Sequence, residues 1–518
     1  MPYNHWFVSR QKRQLTTILP ALITFNDVCV GKVWDQELQL EYEDALGDRD
    51  ITDHGSLRAR RAGQGGGGTR TLFKQMKDLG LVFLEDENRK CRLTLIAAEL
   101  IKGNISFVEA MRLQLQRYQY PSAAVWSGTG SVDHKFHVHP FQFVFRLLRD
   151  PRLNNMLYMP EMFGIVIHYA VSDSNAVFED VVSRILLRRQ NEECGFVNDY
   201  KRMAYWNIAN TFFNYLTLTQ YVDRPLGRIK IRPGKEAAVD AFIEDNPSFI
   251  SNPELTENYI RKYGRGYAAM DRRRFDRENA LSLKELNEAR IRHEYVLLAL
   301  RTPITGITPD IVKTISDRTG IDEQAVERFL VQNYPHGNID DFFASYRELA
   351  QMSTEGASDF EIATKEMFKK IFRMKAERIG QIGNTPDVFV ESEEAGFCGI
   401  IDNKAYKKRY SISGAHRRVM EDVYIPNYQT YGETTLPLAF FSYISLAFVD
   451  TIDSQIAEIV SDTGVNGSAM SVDLLINIAQ DYAEKGYDHE FLKNVFAVNK
   501  EVRLEDIDRA ASRINRHA

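Results

Sequence analysis

Asp387, Asp402 and Lys404 stand close together in segment 384–406, which reads NTPDVFVESEEAGFCGIIDNKAY. In an extended strand, residues i and i+2 point to the same side, about 6.6 Å apart along the chain. Asp402 and Lys404 are therefore predicted to share a face, with Asn403 pointing away from them. Asp387 begins the preceding apolar strand, so it reaches the other two if the strands pair as a hairpin. Acidic groups at the end of a buried strand cost free energy unless they bind something.

The chemistry that suits these groups is metal-assisted hydrolysis of a phosphodiester. Two carboxylates and the backbone carbonyl of Asn403 are hard oxygen ligands suited to Mg²⁺, which keeps several waters. A lysine beside the cation can orient or deprotonate an attacking water and offset charge on a phosphorane-like transition state. Glu366, on the helix upstream, offers a further acid. The competing interpretation is a surface hairpin with an ordinary Asp–Lys pair, because Pro-Asp followed by acid-x-Lys occurs by chance in many proteins.

The sequence around these residues predicts an α/β domain. From about residue 346 helical and strand patterns alternate around one strongly apolar segment. The predicted order is helix FEIATKEMFKKIFR, strand VFVES, strand GFCGIIDNKAY, helix SGAHRRVMEDVYIPNY, strand LPLAFFSYISLAFV and helix DSQIAEIV. Such alternation around a buried strand is typical of a mixed sheet covered by helices.

The composition places the chain among ordinary globular proteins with several domains. A chain of 518 residues is too long to fold around one hydrophobic core, so two to four domains are expected. It is 44% hydrophobic and 26% charged, which is typical of soluble proteins. No apolar run approaches the roughly 18 residues that span a bilayer, and the start MPYNHWFVSRQKRQ lacks the apolar core of a secretory signal. We therefore expect a cytoplasmic protein with no membrane partner. The four cysteines form no Cys-x-x-Cys pair, which argues against disulfides and structural zinc.

The charge distribution points to a polyanionic partner although the net charge is −6. Segments 57–77 (LRARRAGQGGGGTRTLFKQMK) and 224–235 (RPLGRIKIRPGK) are basic and hold no acid. An acidic protein with local basic segments suits contact with a nucleic acid at chosen faces. The alternative is a solvated basic loop. The candidate DNA contacts are Arg58, Arg60, Arg61, Arg70, Thr71, Lys74, Lys77, Arg228 and Lys230.

Two stretches predict a helix followed by two short strands, the outline of a winged helix. The first is TLFKQMKDLG with strands LVFL and CRLTL, and the second is a helix to Leu216 with strands at Thr217–Val222 and RIKI. Residues 251–345 are predicted to be mostly helical, with Thr308-Pro309-Asp310 as a helix start rather than a second active-site motif. The predicted domains are winged-helix-like units at 1–120 and 121–250, a helical connector at 251–345 and the α/β domain at 346–518.

Four segments of the last third, taken together, carry a family resemblance. EIATKEMFKKIF, TPDVFV, GIIDNKAYKKRYSIS and TGVNGSAMSVDLLI resemble the cleavage domain of FokI-type IIS restriction endonucleases over about residues 361–491. The PD-(D/E)xK motif of that family is met by Asp387, Asp402 and Lys404, and its helix glutamate by Glu366. In the N-terminal half, NHWFVSRQKR, TLFKQMKDLGLVFL, LQRYQYPS and HVHPFQFVFRLL are similar to the AlwI and nicking-endonuclease group.

The resemblance implies a restriction enzyme of a prokaryotic restriction-modification system. Such an enzyme reads a short asymmetric site in double-stranded DNA and cuts at a fixed distance with Mg²⁺, leaving 5′-phosphate and 3′-hydroxyl ends. The implied partners are a transient homodimer of nuclease domains or a second nuclease subunit, and a cognate DNA methyltransferase that it need not touch. Two alternatives stay open. One is a strand-specific nicking subunit of a heterodimer, and the other is a DNA-binding protein with an inactive nuclease fold.

Overall fold

The computed structural model describes residues 4–9, 15–49, 51, 67–122, 135–197, 202–225, 227–245, 247–250, 256–265, 283–352, 356–380, 385–406 and 408–514. The chain forms two compact units. The N-terminal unit comprises Met1–Leu297 and Gly306–Gly337, and the C-terminal unit comprises Leu298–Thr305 and Asn338–Ala518. No helix among the described residues has both the length and the apolar character needed to span a bilayer.

Helices dominate the chain up to residue 333. They are α1 (Ile18–Val28), α2 (Gln36–Asp48), α3 (Gly67–Asp78), α4 (Leu95–Ile101), α5 (Phe107–Arg117), α6 (Pro140–Arg149), α7 (Met159–Glu161), α8 (Ile167–Tyr169), α9 (Asn175–Arg189), α10 (Arg202–Leu218), α11 (Glu236–Glu244), α12 (Thr256–Tyr263), α13 (Leu283–Arg301), α14 (Pro309–Thr319) and α15 (Glu323–Asn333). A 3₁₀ turn spans Pro151–Leu153, and a π-helical turn, Met162–Val166, joins α7 to α8.

The first predicted helix–strand–strand unit is present. Helix α3 is followed by β1 (Val82–Leu84) and β2 (Cys91–Leu93), which pair antiparallel. Gly80 ends the helical segment with φ +70°, and a Cβ there would lie 2.5 Å from Gln114 Nε2, so both the backbone and the space require glycine. The predicted strand CRLTL is too long, because Thr94 starts α4 and its hydroxyl accepts from the N–H of Ala97 at 3.4 Å.

The second unit consists of α10 and a three-stranded sheet. Its strands are β3 (Met156–Tyr158), β4 (Val222–Asp223) and β5 (Arg228–Ile231), in the order β3-β5-β4 with antiparallel pairing. The predicted strand at Thr217–Val222 is wrong over most of its length, since α10 continues to Leu218. The Thr217 hydroxyl donates to the carbonyl of Phe213 at 2.6 Å, which satisfies this polar group inside the helix.

Buried polar contacts join the two helix–hairpin units. Gln75 Nε2, on α3, donates to the Tyr215 hydroxyl on α10 at 3.0 Å, and that hydroxyl donates to the carbonyl of Ser9 at 3.2 Å. The predicted division at 120/121 falls within the N-terminal compact unit. In the predicted connector, Pro309 is the first residue of α14 and Gly320 ends it with φ +68°, as the sequence predicts.

The C-terminal unit is a sheet with helices on both faces. Its helices are α16 (Ile339–Leu349), α17 (Ala357–Lys370), α18 (Gly414–Val419), α19 (Tyr428–Gly432), α20 (Ile452–Thr463), α21 (Val472–Asp481), α22 (His489–Phe496) and α23 (Leu504–Ile514). Its strands are β6 (Lys375–Arg378), β7 (Val388–Ser392), β8 (Phe397–Lys404), β9 (Leu438–Ser445), β10 (Gly467–Ser471) and β11 (Lys500–Glu501), in the order β11-β10-β9-β8-β7-β6. Strands β6, β7 and β8 pair antiparallel, and β8 to β11 pair parallel. The predicted mixed sheet is therefore confirmed.

Each face of this sheet has its own apolar core. Successive residues of a strand point to opposite faces, so Val388 and Ile401 pack with α16, α17, α21, α22 and α23, whereas Phe389 and Ile400 pack towards α20 and the Met420 turn. Full burial of each such side chain contributes about 1.5–3 kcal/mol to folding. The two faces are called the α17 face and the α20 face below.

Two details of this unit differ from the sequence expectation. Helix α16, which lies before the predicted start of the α/β domain at residue 346, contributes Phe342 and Tyr346 to the α17-face core. The helix predicted over SGAHRRVMEDVYIPNY is interrupted. α18 passes into a π-helical turn, Met420–Tyr424, and α19 follows separately.

Candidate active site

The hairpin of β7 and β8 brings the three predicted residues together. The strands pair antiparallel, so Asp387, just before β7, and Asp402, near the end of β8, lie at the same end of the hairpin. The main-chain N–H of Asn403 donates to Asp387 Oδ2 at 2.6 Å. Lys404 Nζ lies 2.6 Å from Asp402 Oδ2. The predicted geometry of the hairpin is therefore present.

Strand alternation explains which side chains converge. Asp402 and Lys404 point to the α20 face, whereas the side chain of Asn403 points to the α17 face. There, Asn403 Nδ2 donates to Thr364 Oγ1 of α17 at 2.6 Å, and the Thr364 hydroxyl is also within 2.9 Å of the Tyr346 hydroxyl. Asn403 is thus held by its side chain on one face and by its main-chain N–H at Asp387. This double attachment fixes the strand between the acid and the lysine.

The charges at this site perturb one another. Burial, and then the neighbouring Asp402 carboxylate, raise the pKa of Asp387 from an ordinary 3.8 to about 8, against the lowering effect of Lys404. Burial alone would lower the pKa of Lys404, but the Asp402 and Asp387 carboxylates outweigh it, and the pKa is raised. The lysine therefore remains an ammonium at neutral pH. The raised pKa of Asp387 reflects the cost of burying a second carboxylate beside Asp402, a cost that a bound divalent cation would remove.

Glu361 is close enough to contribute to the raised pKa of Asp387, whereas the predicted Glu366 pairs with lysines of its own helix. Glu366 forms ion pairs with Lys365 at 3.2 Å and Lys370 at 3.7 Å. Glu361 Oε2 instead accepts from Arg378 Nη2 at 2.7 Å. Five residues of helix turn the chain by about 500°, so side chains five apart point about 140° from each other. Glu361 and Glu366 therefore lie on different sides of α17.

Gly380 marks the space between Glu361 and Asp387. A Cβ at Gly380 would lie 3.1 Å from Asp387 Oδ1 and 3.6 Å from Glu361 Oε2. The absence of a side chain lets the backbone of Gly380 lie close to both carboxylates, and a methyl group there would crowd Asp387. Neither Glu361 nor Arg378 was predicted from the sequence, although Glu361 belongs to the same helical segment as Glu366 and offers the same chemistry.

The residues fit a hard divalent cation that keeps part of its water shell. Among the described residues, no cluster of three or more His, Cys, Asp or Glu side chains is arranged to hold a metal by itself. Mg²⁺ is commonly held by one or two carboxylates and several waters. Asp387 and Asp402 supply two carboxylates of this kind.

The predicted DNA contacts of α3 share one side of that helix. Arg70, Lys74 and Lys77 recur at a spacing of four and three residues, which places them on one face. Arg70 and the neighbouring Thr71 are exposed, and Lys74 and Lys77 are half-buried. Burial lowers the pKa of Lys77 to about 8, so its charge is partly lost in mildly alkaline solution. Arg58, Arg60 and Arg61 lie outside the described residues.

The predicted contacts of β5 also share a face. Arg228 and Lys230 alternate with the buried Ile229 and Ile231, so both point outward from the three-stranded sheet. The Arg228 guanidinium lies 6.0 Å from the ring centroid of Tyr158 on β3. This surface combines cationic and aromatic groups, which suits the backbone of a nucleic acid.

The histidines of HVHP have structural partners in the N-terminal unit. His137 stacks on Phe249 with ring centroids 3.6 Å apart. His139 precedes α6, and its Nδ1 lies 2.7 Å from Asp173 Oδ2. Among the described residues neither belongs to a metal-binding cluster.

Family comparisons match both halves of this architecture. Residues 320–503 match the family described as FokI, cleavage domain, and this range contains Asp387, Asp402 and Lys404. Residues 107–236 match the family described as type II restriction endonuclease HgaI, N-terminal domain. Together, the matches to a FokI cleavage domain and to a type II restriction endonuclease N-terminal domain indicate a type II site-specific nuclease. The predicted resemblance to type IIS restriction enzymes is confirmed.

Solved structures show more distant likenesses. The structure of restriction endonuclease FokI is 12% identical, with a TM-score of 0.30, over 96% of this chain and 99% of that one. FokI bound to DNA is 13% identical, with a TM-score of 0.31, over the same shares. The BpuJ1 endonuclease binding domain, in complex with pyrene- and phenanthrene-modified DNA, is 14% identical, with a TM-score of 0.36, over 50% of this chain and 95% of that one. A comparison with curated proteins found no match. The two family matches therefore carry the assignment.

Proposed function

We propose that this protein is a type IIS restriction endonuclease that cuts double-stranded DNA at a fixed distance from a short asymmetric site. The N-terminal unit would read the site, and the C-terminal unit would hydrolyse the phosphodiester to 5′-phosphate and 3′-hydroxyl ends. The observation that carries the proposal is the convergence of Asp387, Asp402 and Lys404 inside the segment that matches the FokI cleavage domain.

In this proposal the cofactor is Mg²⁺, held by Asp387, Asp402 and the backbone carbonyl of Asn403. When bound there, Mg²⁺ would activate a water and polarise the scissile phosphate. The Asn403 N–H bond to Asp387 and the Asn403 side-chain bond to Thr364 hold these oxygen donors in place. Preorganisation of this kind lowers the cost of assembling the site during the reaction.

Lys404 acts as a cation in this centre. Its pKa is raised, so the ammonium keeps its protons at neutral pH. It therefore donates hydrogen bonds to the attacking water or to a non-bridging phosphate oxygen, and it offsets the negative charge that develops in the transition state. This role differs from proton abstraction, the other possibility raised by the sequence.

Glu361 takes the role that the sequence assigned to Glu366. It shares the Gly380 space with Asp387, and its ion pair with Arg378 holds the carboxylate towards that space. A carboxylate in this position orients water near the proposed cation and adds negative charge that favours cation binding.

DNA recognition is proposed for the two helix–hairpin units, which we interpret as winged-helix-like. The faces formed by Arg70, Thr71, Lys74 and Lys77 on α3, and by Arg228 and Lys230 on β5, would contact the DNA. Lys and Arg supply the charge that neutralises phosphates, and Arg also pairs with guanine edges.

The first experiment uses Asp387→Ala and Asp402→Ala with Mg²⁺ and supercoiled plasmid DNA that carries many candidate sites. Each variant is expected to lose cleavage by at least about 10³-fold, because a ligand of the activating cation is gone, while site-specific DNA binding is kept. Asp508→Ala, at an exposed position of α23, is the matched control. Full cutting by either active-site variant would overturn the assignment.

The plasmid products also test the number of strands cut. One centre hydrolyses one strand, so linear product requires a transient homodimer or a second nuclease subunit. Linear DNA whose yield rises with protein concentration supports self-association, whereas open circles alone indicate the nicking alternative. Retained DNA binding with no cutting at any Mg²⁺ concentration would indicate an inactive nuclease fold. The cognate methyltransferase of such a system would protect the same site.

A further inference from the structure

A tyrosine and a histidine lie next to the proposed nuclease centre and have no part in the chemistry described above. After β8 the chain crosses to Tyr410, which is 2% exposed. The Tyr410 N–H donates to the carbonyl of Ala447 at 2.8 Å, and the N–H of Val449 donates to the carbonyl of Tyr410 at 3.0 Å. Both main-chain groups of Tyr410 are thus fixed to the segment that follows β9.

The ring of Tyr410 faces the catalytic lysine. Lys404 Nζ lies 6.0 Å from the centroid of this ring, within the range at which an ammonium is attracted to an aromatic face. The same ammonium lies 2.6 Å from Asp402 Oδ2. Because Asp402 is also a proposed cation ligand, its carboxylate has two positive partners to satisfy. The aromatic face offers Lys404 a contact that does not compete for that carboxylate.

The orientation of the Tyr410 ring is set by His416 on α18. The Tyr410 hydroxyl and His416 Nδ1 are 2.8 Å apart, and the two rings lie nearly parallel at 29° with centroids 5.8 Å apart. Burial, and then the nearby Asp402 carboxylate, raise the pKa of Tyr410, so the phenol keeps its proton and donates it. Nδ1 of His416 therefore accepts, which leaves the ring proton on Nε2.

His416 is itself held and stays uncharged. Its main-chain N–H donates to the Ser413 hydroxyl at 3.2 Å, which caps α18, and its carbonyl accepts from the Tyr443 hydroxyl of β9 at 3.5 Å. Burial, and then the Lys404 ammonium, lower the pKa of His416. The groups that face it are Lys404 and Asp402 from β8, with Tyr410 and Tyr443. A neutral acceptor is the form that holds the phenol without placing a second cation beside Lys404.

We propose that Tyr410 and His416 are positioning residues for cleavage, in which the hydrogen bond between them orients the Tyr410 ring against the Lys404 ammonium. This inference rests on the proposed nuclease function and adds two residues to its machinery. Neither residue touches the DNA or the cation in this proposal, and both act through Lys404. Core packing alone would need only an apolar ring at position 410. The positioning role explains why a tyrosine hydrogen-bonded to His416 stands there instead.

The test measures the single-turnover rate of strand cleavage at saturating DNA and Mg²⁺, together with DNA affinity and thermal unfolding. Tyr410→Phe removes one oxygen, and His416→Leu removes the acceptor at an accessible helix position. Each is expected to slow cleavage about tenfold with DNA affinity unchanged, because a transition-state interaction of Lys404 is weakened while binding is not. The double variant Tyr410→Phe/His416→Leu should be no slower than either single variant, since both break the same bond.

Two further variants separate positioning from general damage. His416→Asn keeps an acceptor near the place of Nδ1 and is expected to restore the rate to within about threefold of the unaltered protein. Tyr482→Phe removes a buried tyrosine oxygen from the α17-face core of the same unit and is expected to leave the rate unchanged. If the pair had only a structural role, the variants would unfold at a lower temperature and His416→Asn would be affected as much as His416→Leu.

The inference is overturned if Tyr410→Phe and His416→Leu cut at the unaltered rate, or if their effects multiply in the double variant. It is also overturned if His416→Asn is as slow as His416→Leu. Failure of the proposed function gives a different result, in which the unaltered protein does not cut DNA or Asp387→Ala cuts as fast as the unaltered protein.

Discussion

The two candidate functional regions place charge in opposite ways. In the C-terminal unit the buried Asp402 and the half-buried Lys404 form an ion pair at the end of a strand. On α3 of the N-terminal unit, Arg70 and Lys74 lie along one helix face that is partly open to solvent. Buried charges are strongly coupled, whereas exposed charges are screened by water and salt. Substitutions at the centre should therefore change the rate, and substitutions on α3 should change affinity in small, additive steps.

The largest expected contrast is between alanine substitutions of two lysines, Lys404 in the C-terminal unit and Lys74 on α3. Lys404→Ala should slow cleavage by about 10²–10³-fold with DNA affinity kept, because a donor to the transition state is lost in a buried site. Lys74→Ala should leave the single-turnover rate at saturating DNA unchanged and weaken binding instead. The measurements are quench-flow cleavage and fluorescence anisotropy on the same duplex. An equal loss of rate in both variants would remove the distinction between the two regions.

The helix glutamates give the next largest contrast. Glu361→Gln should slow cleavage by about 10–100-fold, since its carboxylate borders the space beside Asp387, and outer partners of metal sites often contribute effects of this size. Glu366→Gln should stay within about threefold of the unaltered protein, because Glu366 pairs with lysines away from that space. The pair are matched in residue type, helix and substitution. A larger effect at Glu366 would restore the sequence-based assignment.

The pH dependence of cation binding tests the coupling of the buried acids. The pKa of Asp387 is raised to about 8, so below that pH its carboxyl holds a proton that Mg²⁺ must displace. Mg²⁺ affinity should therefore rise by up to about tenfold per pH unit towards pH 8 and level off above it. Isothermal titration calorimetry in buffers of different ionisation enthalpy measures the proton released. Asp387→Asn should abolish that proton release, and an affinity independent of pH in the unaltered protein would contradict the prediction.

The smallest expected effects belong to the α3 face. Arg70→Ala and Lys74→Ala should each weaken DNA binding several-fold and lower the slope of log affinity against log salt by about 0.9, if each contacts one phosphate. The double variant should show the sum of both changes, as expected for exposed, weakly coupled groups. Glu87→Ala, on the β1–β2 hairpin, removes an exposed acidic charge and should not lower the slope. Unchanged slopes in the Arg70 and Lys74 variants would remove this face from the DNA interface.

The centre could be predicted largely from local periodicity. Strand alternation is a short-range property, so the sequence alone places Asp402 and Lys404 on one face of the strand and Asn403 on the other. The position of Asp387 needed only the pairing of two consecutive strands across a short turn. The choice between Glu361 and Glu366 depends on the rotation of α17 about its own axis, which packing of the helix on the sheet decides.

The same difference between local preference and tertiary packing explains the errors in the predicted secondary structure. The strand predicted at Thr217–Val222 contains β-branched residues, but Thr217 lies inside α10, where its hydroxyl finds a backbone acceptor and the helix is packed in the core. The Tyr410–His416 pair was missed for a related reason. Its two members come from a loop and a separate helix, and no sequence spacing predicts that their rings meet.

The sequence by itself determined the class of chemistry and the order of elements. Residue type, the alternation of side chains along a strand and the residues that start and end helices all act over a few positions. The tertiary structure decided which acid joins the centre, how the lysine is held and where the compact units divide. Those outcomes depend on contacts between residues far apart in the chain, and the free energy that selects them comes from packing and burial rather than from local preference.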